Sequence, residues 1–272
     1  MGGADHDRTL VMSVINVTPD SFSDGGHWLD PVAAVQHGLE LLQQGADILD
    51  VGGESTRPGA VRVDPVTEIE RVVPVVRELS ERGAVVSVDT MRAQVAEACI
   101  RVGAQLVNDV SGGLADAAML PLIARHEVDY VAMHWRGHAR TMQQQASYSN
   151  VVADVFAELS ARRDAALAAG VQLDRLILDP GLGFAKRAEH NWQLLAALPH
   201  LMELGPRILV GASRKAFLGE LLNRRDPATR DDASLAVTCH CAQRRVWAVR
   251  AHTAQPHADA VRVMARLAAG GQ

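Results

Sequence analysis

Aromatic residues are scarce in this chain: four Phe, four Trp and two Tyr make up 4% of 272 residues. Base-stacking platforms and aromatic-rich protein interfaces both need more. A basic excess is missing too. The 27 Lys and Arg stand against 32 Asp and Glu, a formal net charge of −5, so no global positive field is there to hold a nucleic acid and any anion site has to be local. Three cysteines, Cys99, Cys239 and Cys241, cannot all pair and lay out no disulfide framework; a reducing cytoplasm suits them best. No apolar run nears the roughly 20 residues that span a bilayer, and the polar, acidic opening over 1–8 does not read as a signal peptide. The expectation is a cytoplasmic protein with neither nucleic acid nor membrane as partner.

What is present is a large apolar share, 48%, arranged as a strand-then-helix alternation repeated about eight times. Strands are expected near Leu10–Asn16, Asp47–Val51, Val85–Asp89, Gln105–Asn108, Tyr130–His134, Leu176–Asp179, Ile208–Gly211 and Val246–Ala251. The first of these are short continuous apolar runs, as parallel strands buried on both faces require. Helical patterns fill the intervals, over Pro31–Gln44, Pro65–Arg82 and, longest, Asn150–Ala169. Gly45, Gly83, Gly103 and Gly170 follow such segments as helix-ending glycines. Trp135–Ser149 reads as a longer irregular loop. The chain length and eight units favour a single-domain (β/α)8 barrel, an α/β fold of the TIM type, over 1–272 with 1–8 as a flexible tail. An open doubly wound sheet would want a Gly-rich dinucleotide turn after its first strand, and none is there.

In such a barrel the loops after the strands share one face, which carries the active site. The strand ends read Asn16, Asp50, Asp89, Asn108, Met133, Asp179, Gly211 and Arg250, a gathering of carboxylates and carboxamides that strand register alone does not require. Asp and Asn at strand ends also cap following helices, which is the plainer reading of any one of them. Ser213-Arg214-Lys215 follows the seventh strand and opens a helix, with Ser213 in the place of an N-cap; free N–H groups there suit a carboxylate or phosphate. Arg250 and His252 alternate on the last strand and its exit and so share a face. Cys239-His240-Cys241 invites comparison with a zinc site, but helical spacing splays the three side chains and no second ligand pair is evident.

Six ordered segments carry a family resemblance: Asn16–Gly26, Asp50–Gly59, Ser87–Thr90, Asn108–Gly113, Asp179–Phe184 and Ser213–Lys215. From about Val11 to Ala265 the chain resembles the dihydropteroate synthases, the folate-pathway transferases that join p-aminobenzoate to a pterin diphosphate. The resemblance implies a pterin site of Asp89, Asn108, Met133, Asp179, Phe184, Gly211, Lys215 and Arg250. It implies a p-aminobenzoate site of Phe22, Thr56, Pro58, Ser213 and Lys215, and a diphosphate site of Asn16, Thr56, Arg57, Arg250 and His252, with stacking on the pterin as the alternative role for Arg250. Asp89, Asp179, Lys215 and Arg250 would carry the catalysis. It further implies Mg²⁺ on Asn16, a dissociative displacement, sulfonamides as inhibitors that mimic p-aminobenzoate, and a homodimer.

Three places depart from the family pattern. Ser13 replaces a glycine common in the first strand. Thr253 and Ala254 follow His252 where an Asp and an apolar residue are usual. Gln243-Arg244-Arg245-Val246-Trp247 replaces a more Ala/Gly-rich approach to the last strand. Two other readings stay open at this point: a methyltetrahydrofolate-binding methyltransferase on the same barrel, which would lack the Thr18–Phe22 loop and need a corrinoid partner, and a catalytically silent pterin-binding homologue. Phe22→Ala and Pro58→Ala are each expected to raise the KM for p-aminobenzoate in steady-state assays; an unchanged KM in both removes these residues from its pocket.

Overall fold

The computed structural model describes residues 7–18, 30–55, 62–138, 142–223 and 225–270. Eight parallel strands close into a barrel in sequence order, β1 Leu10–Asn16, β2 Ile48–Gly52, β3 Val86–Asp89, β4 Leu106–Asp109, β5 Asp129–Met133, β6 Leu176–Asp179, β7 Arg207–Val210 and β8 Ala248–Ala251, with β1 paired to both β2 and β8. The helices between and after them are α1 Pro31–Gln43, α2 Pro65–Glu81, α3 Ala93–Ile100, α4 Met119–His126, α5 Val151–Ala168, α6 Ala188–Ala196, the short α7 Leu198–Met202, α8 Ala216–Leu221, α9 Asp231–Gln243 and α10 Gln255–Gly270. The (β/α)8 expectation is met, and the strand limits agree within two residues. No helix among the described residues is long and apolar enough to cross a membrane.

The local chemistry explains the boundaries. Asp30, Asp64 and Asn150 each accept hydrogen bonds from the first free N–H groups of α1, α2 and α5, and a proline holds the first position of α1 and α2, where its missing N–H costs nothing. Gly45, Gly83, Gly103 and Gly170 all take positive φ past a helix end, as the sequence implied. Arg8, placed in the tail expected over 1–8, forks onto Asp47 at 2.6 and 2.8 Å; residues 1–6 lie outside the described residues.

Side chains alternate across a strand, and this organises the barrel interior. Leu10, Met12, Ile48, Leu106, Val131, Ile177, Leu209 and Ala248 form one buried apolar cluster inside it. The outward residues, among them Val11, Ile15, Leu49, Val88, Val107 and Leu178, join the larger core under the helices. Below the plug, at the strands' N-terminal end, Asp129 lies 3.1 Å from Arg207, whose guanidinium covers the Trp247 ring at 4.8 Å.

The last strand starts two residues later than expected because of the arginine pair. Arg245 N–H bonds back to the Ala242 carbonyl and Val246 N–H to that of Cys241, a helix-ending motif whose middle residue must be left-handed. Arg245 takes that conformation, φ 56°, at a position that favours glycine. The Arg244–Arg245 departure therefore changes how α9 stops. Arg245→Gly is expected to stabilise the fold by about 0.5–1 kcal/mol in urea unfolding; a loss of stability would mean the arginine side chain earns its place through contacts.

Candidate active site

Two residues beyond the plug, five strands turn polar or small on the same interior face and β5 places a methionine there. Ile48 is followed by Asp50, Leu106 by Asn108, Val131 by Met133, Ile177 by Asp179, Leu209 by Gly211 and Ala248 by Arg250. The register brings Asn16 opposite Gly52, Gly52 opposite Asp89, Asp89 opposite Asn108, and Met133 opposite Asp179. Above them opens a cavity of about 940 Å³ lined by Asn16, Asp89, Asn108, Met133, Asp179, Gly211 and Arg250 and by Phe184, Lys186, Ser213, Lys215 and His252. That volume suits a small-molecule site. A side chain at Gly211 would project among Arg250, Lys215 and Asp179, so glycine keeps the cavity open there.

Asp50 lies beneath the floor with no exposed surface. Its Oδ2 accepts from Arg250 Nε at 2.6 Å and from Asn108 Nδ2 at 2.9 Å, while the other end of the Arg250 guanidinium reaches Asp89 Oδ2 at 2.8 Å. The Asn108 amide is thereby oriented, its carbonyl oxygen left for another donor. Burial pushes the Asp89 carboxyl up to about 7, and the neighbouring Asp50 adds to this, while Arg250 opposes it. Sequence reasoning placed Asp50 at a strand end without giving it a role.

The β6 exit supplies the opposite wall. Asp179 Oδ1 accepts from Gly181 N–H at 2.7 Å. Gly181 has φ +66°, and a Cβ there would stand 2.5 Å from the His134 carbonyl oxygen, so only glycine permits this turn. Asp179 is raised by burial against the pull of Lys215, the Gly181 N–H, Lys186 and Arg250. Lys215 donates to the Leu182 carbonyl, lies 4.8 Å from the Phe184 ring centre, and is pushed down to about 8 by burial. Lys186 and His134, absent from the expected site, also stand here: Lys186 Nζ lies 2.9 Å from His134 Nδ1. A Lys two residues past the Phe184 motif was the one signal available for it.

The 213–215 turn differs from the expectation. Ser213 caps no helix: α8 starts at Ala216 with Lys215 at its N-cap and no side-chain capping bond. Ser213 Oγ instead meets His252, at 3.0 Å from Nδ1 and 3.3 Å from the backbone N. Arg214 is left-handed (φ 60°) and forks onto Asp231 at 2.7 and 2.8 Å while its N–H donates to Ser234 Oγ. It pins the turn that aims Ser213 and Lys215. Thr253, where a carboxylate was usual, has a buried hydroxyl without a hydrogen-bond partner among the described residues, as does Ser13. His240 of the Cys-His-Cys run bonds the Leu195 carbonyl at 2.9 Å. Phe22, Thr56, Arg57 and Pro58 lie outside the described residues.

A deep barrel pocket whose floor alternates carboxylate, carboxamide and guanidinium is a site for a flat, polar heterocycle. The family model described as "pterin binding enzyme" matches residues 12–252. A dihydropteroate synthase of Mycobacterium leprae is 52% identical, over 96% of this chain and 95% of its own. Among solved structures, the Xanthomonas albilineans dihydropteroate synthase with 4-aminobenzoic acid superposes with a TM-score of 0.89 at 43% identity, covering 97% of this chain and 94% of that one. The Yersinia pestis enzyme with a sulfonamide drug complex gives 0.93 at 37%, covering 98% and 96%. The chain belongs to the pterin-binding enzymes and, within them, to the dihydropteroate synthase family.

The raised Asp89 has a stability consequence. A carboxyl whose folded pKa lies above its unfolded value stabilises the fold fully below the unfolded value, and that contribution is lost as pH rises through the folded one. Here the window runs from 3.8 to about 7. Asp89→Asn is therefore expected to raise the melting temperature of the unliganded protein at about pH 8 while weakening pterin affinity at least about tenfold. A lower melting temperature would show that the ion pair with Arg250 outweighs the burial of charge.

Proposed function

We propose that the chain joins 6-hydroxymethyl-7,8-dihydropterin diphosphate to p-aminobenzoate, giving 7,8-dihydropteroate and diphosphate. The observation that carries this reading is the polar lining of the barrel cavity, where Asp89, Asn108 and Asp179 are gathered together with Lys215 and Arg250. An aminopyrimidinone edge offers adjacent N–H and NH₂ donors beside acceptors, and buried carboxylates with an oriented carboxamide answer it. Met133 and Phe184 give the ring apolar contact. Membership among the dihydropteroate synthases supports a transferase that forms a C–N bond.

The chemistry follows from the substrate's CH₂ group. Its C–O bond breaks and diphosphate leaves with the electron pair, so positive charge spreads into the conjugated ring. Asp89 and Asp179, reluctant to ionise in the empty pocket, gain from ring donors and from that developing charge, which is the condition for stabilising a transition state more than a ground state. The amine lone pair of p-aminobenzoate then forms the C–N bond and the nitrogen sheds a proton. Arg250 and His252 face the departing diphosphate; Arg57 and Thr56 join them by family resemblance. Ser213 and Lys215 receive the p-aminobenzoate carboxylate, with Phe22 and Pro58 walling its ring, and the same pocket admits sulfonamides.

The donor set suits a hard cation delivered with the substrate. Among the described residues no group of three or more His, Cys, Asp or Glu is placed to hold a metal, whereas Asn16 offers a carboxamide oxygen on the rim. Mg²⁺ keeps several waters and binds through substrate phosphates with few protein ligands. Asn16 would hold it, and it would offset charge on the leaving diphosphate.

Diphosphate release is measured with pterin diphosphate, Mg²⁺ and p-aminobenzoate, each omitted in turn. Release coupled to dihydropteroate is the expected outcome; pterin binding without release overturns the assignment. With p-aminobenzoate withheld, scrambling of a bridging ¹⁸O label into the diphosphate supports the dissociative path. A retained label under conditions that allow turnover points to direct displacement.

A further inference from the structure

Lys186 is almost completely buried, 4% exposed, on the wall of the cavity and in the loop that follows Asp179. The reaction as derived gives it no task. A lysine is not buried without partners, and this one has a continuous set. Its Nζ donates to the Phe184 carbonyl at 3.1 Å and to His134 Nδ1 at 2.9 Å. An ammonium has no acceptor, so the His134 proton sits on Nε2. That atom is 2.9 Å from Glu158 Oε2 of α5, off the axis of a linear hydrogen bond. Glu158 is 40% exposed and also takes a fork from Arg136. A line of polar groups thus runs from the cavity wall to the outer surface of the barrel.

We propose that Lys186, held by His134 and through it by Glu158, is a positioning residue whose positive charge keeps Asp179 an ionised acceptor for the pterin ring. The inference rests on the pterin reading of the cavity. Asp179 is buried, 6% exposed, and three cations act on it: Lys215 from the β7 exit, Lys186 from the loop after β6 and Arg250 from β8. Arg250 is already committed to Asp50 and Asp89, and Lys215 is to meet the second substrate. Lys186 is the cation whose hydrogen bonds all point away from both substrates. The groups acting on Lys186 itself are Asp179, which favours its charge, Lys215 and Arg136, which oppose it, Glu158, which favours it, and the neutral ring of His134. Burial outweighs them and pushes it down to about 7; His134, at about 4 for the same reason, stays neutral throughout the working range.

The consequence is a two-sided pH dependence of pterin affinity. Binding weakens in acid as Asp179, together with Asp89, takes up a proton, and again in alkali as Lys186 and then Lys215 lose theirs. The experiment titrates 6-hydroxymethyl-7,8-dihydropterin against the full chain by calorimetry from about pH 5 to 9. Lys186→Met is expected to move the acid limb to higher pH, weakening binding about tenfold on that limb for each pH unit of displacement. Lys186→Arg restores the acid limb and moves the alkaline limb upward, because the guanidinium keeps its charge. Glu158→Gln, a half-exposed change that leaves the cavity wall intact, moves the alkaline limb to lower pH and decides the matter if Lys186→Met fails to fold. An unaltered pH profile in folded Lys186→Met, or an unmoved alkaline limb in Glu158→Gln, overturns the proposal. Failure of the parent chain to bind the dihydropterin at any pH overturns the pterin reading and this inference with it.

Discussion

A carboxylate removed from water must be answered by a charge or by hydrogen bonds, and the cavity floor is built on that constraint. Asp50 meets it with one oxygen shared between Arg250 and Asn108, residues 200 and 58 positions away in the chain. Those bonds tie β2 to β4 and β8 across the barrel. They also fix what the floor presents, because they orient the Asn108 amide and spread the Arg250 fork toward Asp89. Breaking such a buried pair strands the partner charge, at a cost of about 3–5 kcal/mol. The arrangement therefore holds fixed the groups that the floor presents to the cavity.

The barrel was legible because its cause is local. Continuous apolar runs announce strands buried on both faces, and proline and glycine mark where helices start and stop, so β1 and β6 were read to the residue and the others nearly so. The floor was legible for the same reason: a period of two along a strand puts Asp89, Asn108, Asp179 and Arg250 on the face that the apolar plug already occupies. What could not be read depends on pairings between distant segments. Nothing near Asp50 in sequence says that an arginine two hundred residues later will fork onto it. Ser213 looked like a helix cap because a hydroxyl preceded a helical run; a left-handed Arg214, held by Asp231 and Ser234 from the following helix, turned it toward His252 instead. Lys186 and His134 had no pattern to join until the β5 and β6 exits were brought together.

The departures from the family pattern are unequal in effect. The arginine pair before β8 alters only the way α9 ends, on the outside of the barrel, and Trp247 beyond it finds Arg207 at the closed end. Thr253 is nearer the chemistry. Its hydroxyl takes the place of a carboxylate just past His252 and finds no partner among the described residues, while His252 itself is met by Ser213. The barrel tolerates the first kind of change because strand order and register are set inside it, by the plug.

The plug of Leu10, Met12, Ile48 and their neighbours also makes the cavity a blind alley. A compartment with one mouth imposes a queue: whatever lies against the floor arrives first and leaves last. A heterocycle seated on Asp89 and Asp179 would be covered by the partner that lands above it, and the joined product, anchored at its deeper end, could depart only after the fragments nearer the opening had gone. Traffic through the barrel is thus ordered by packing at the end where no chemistry takes place.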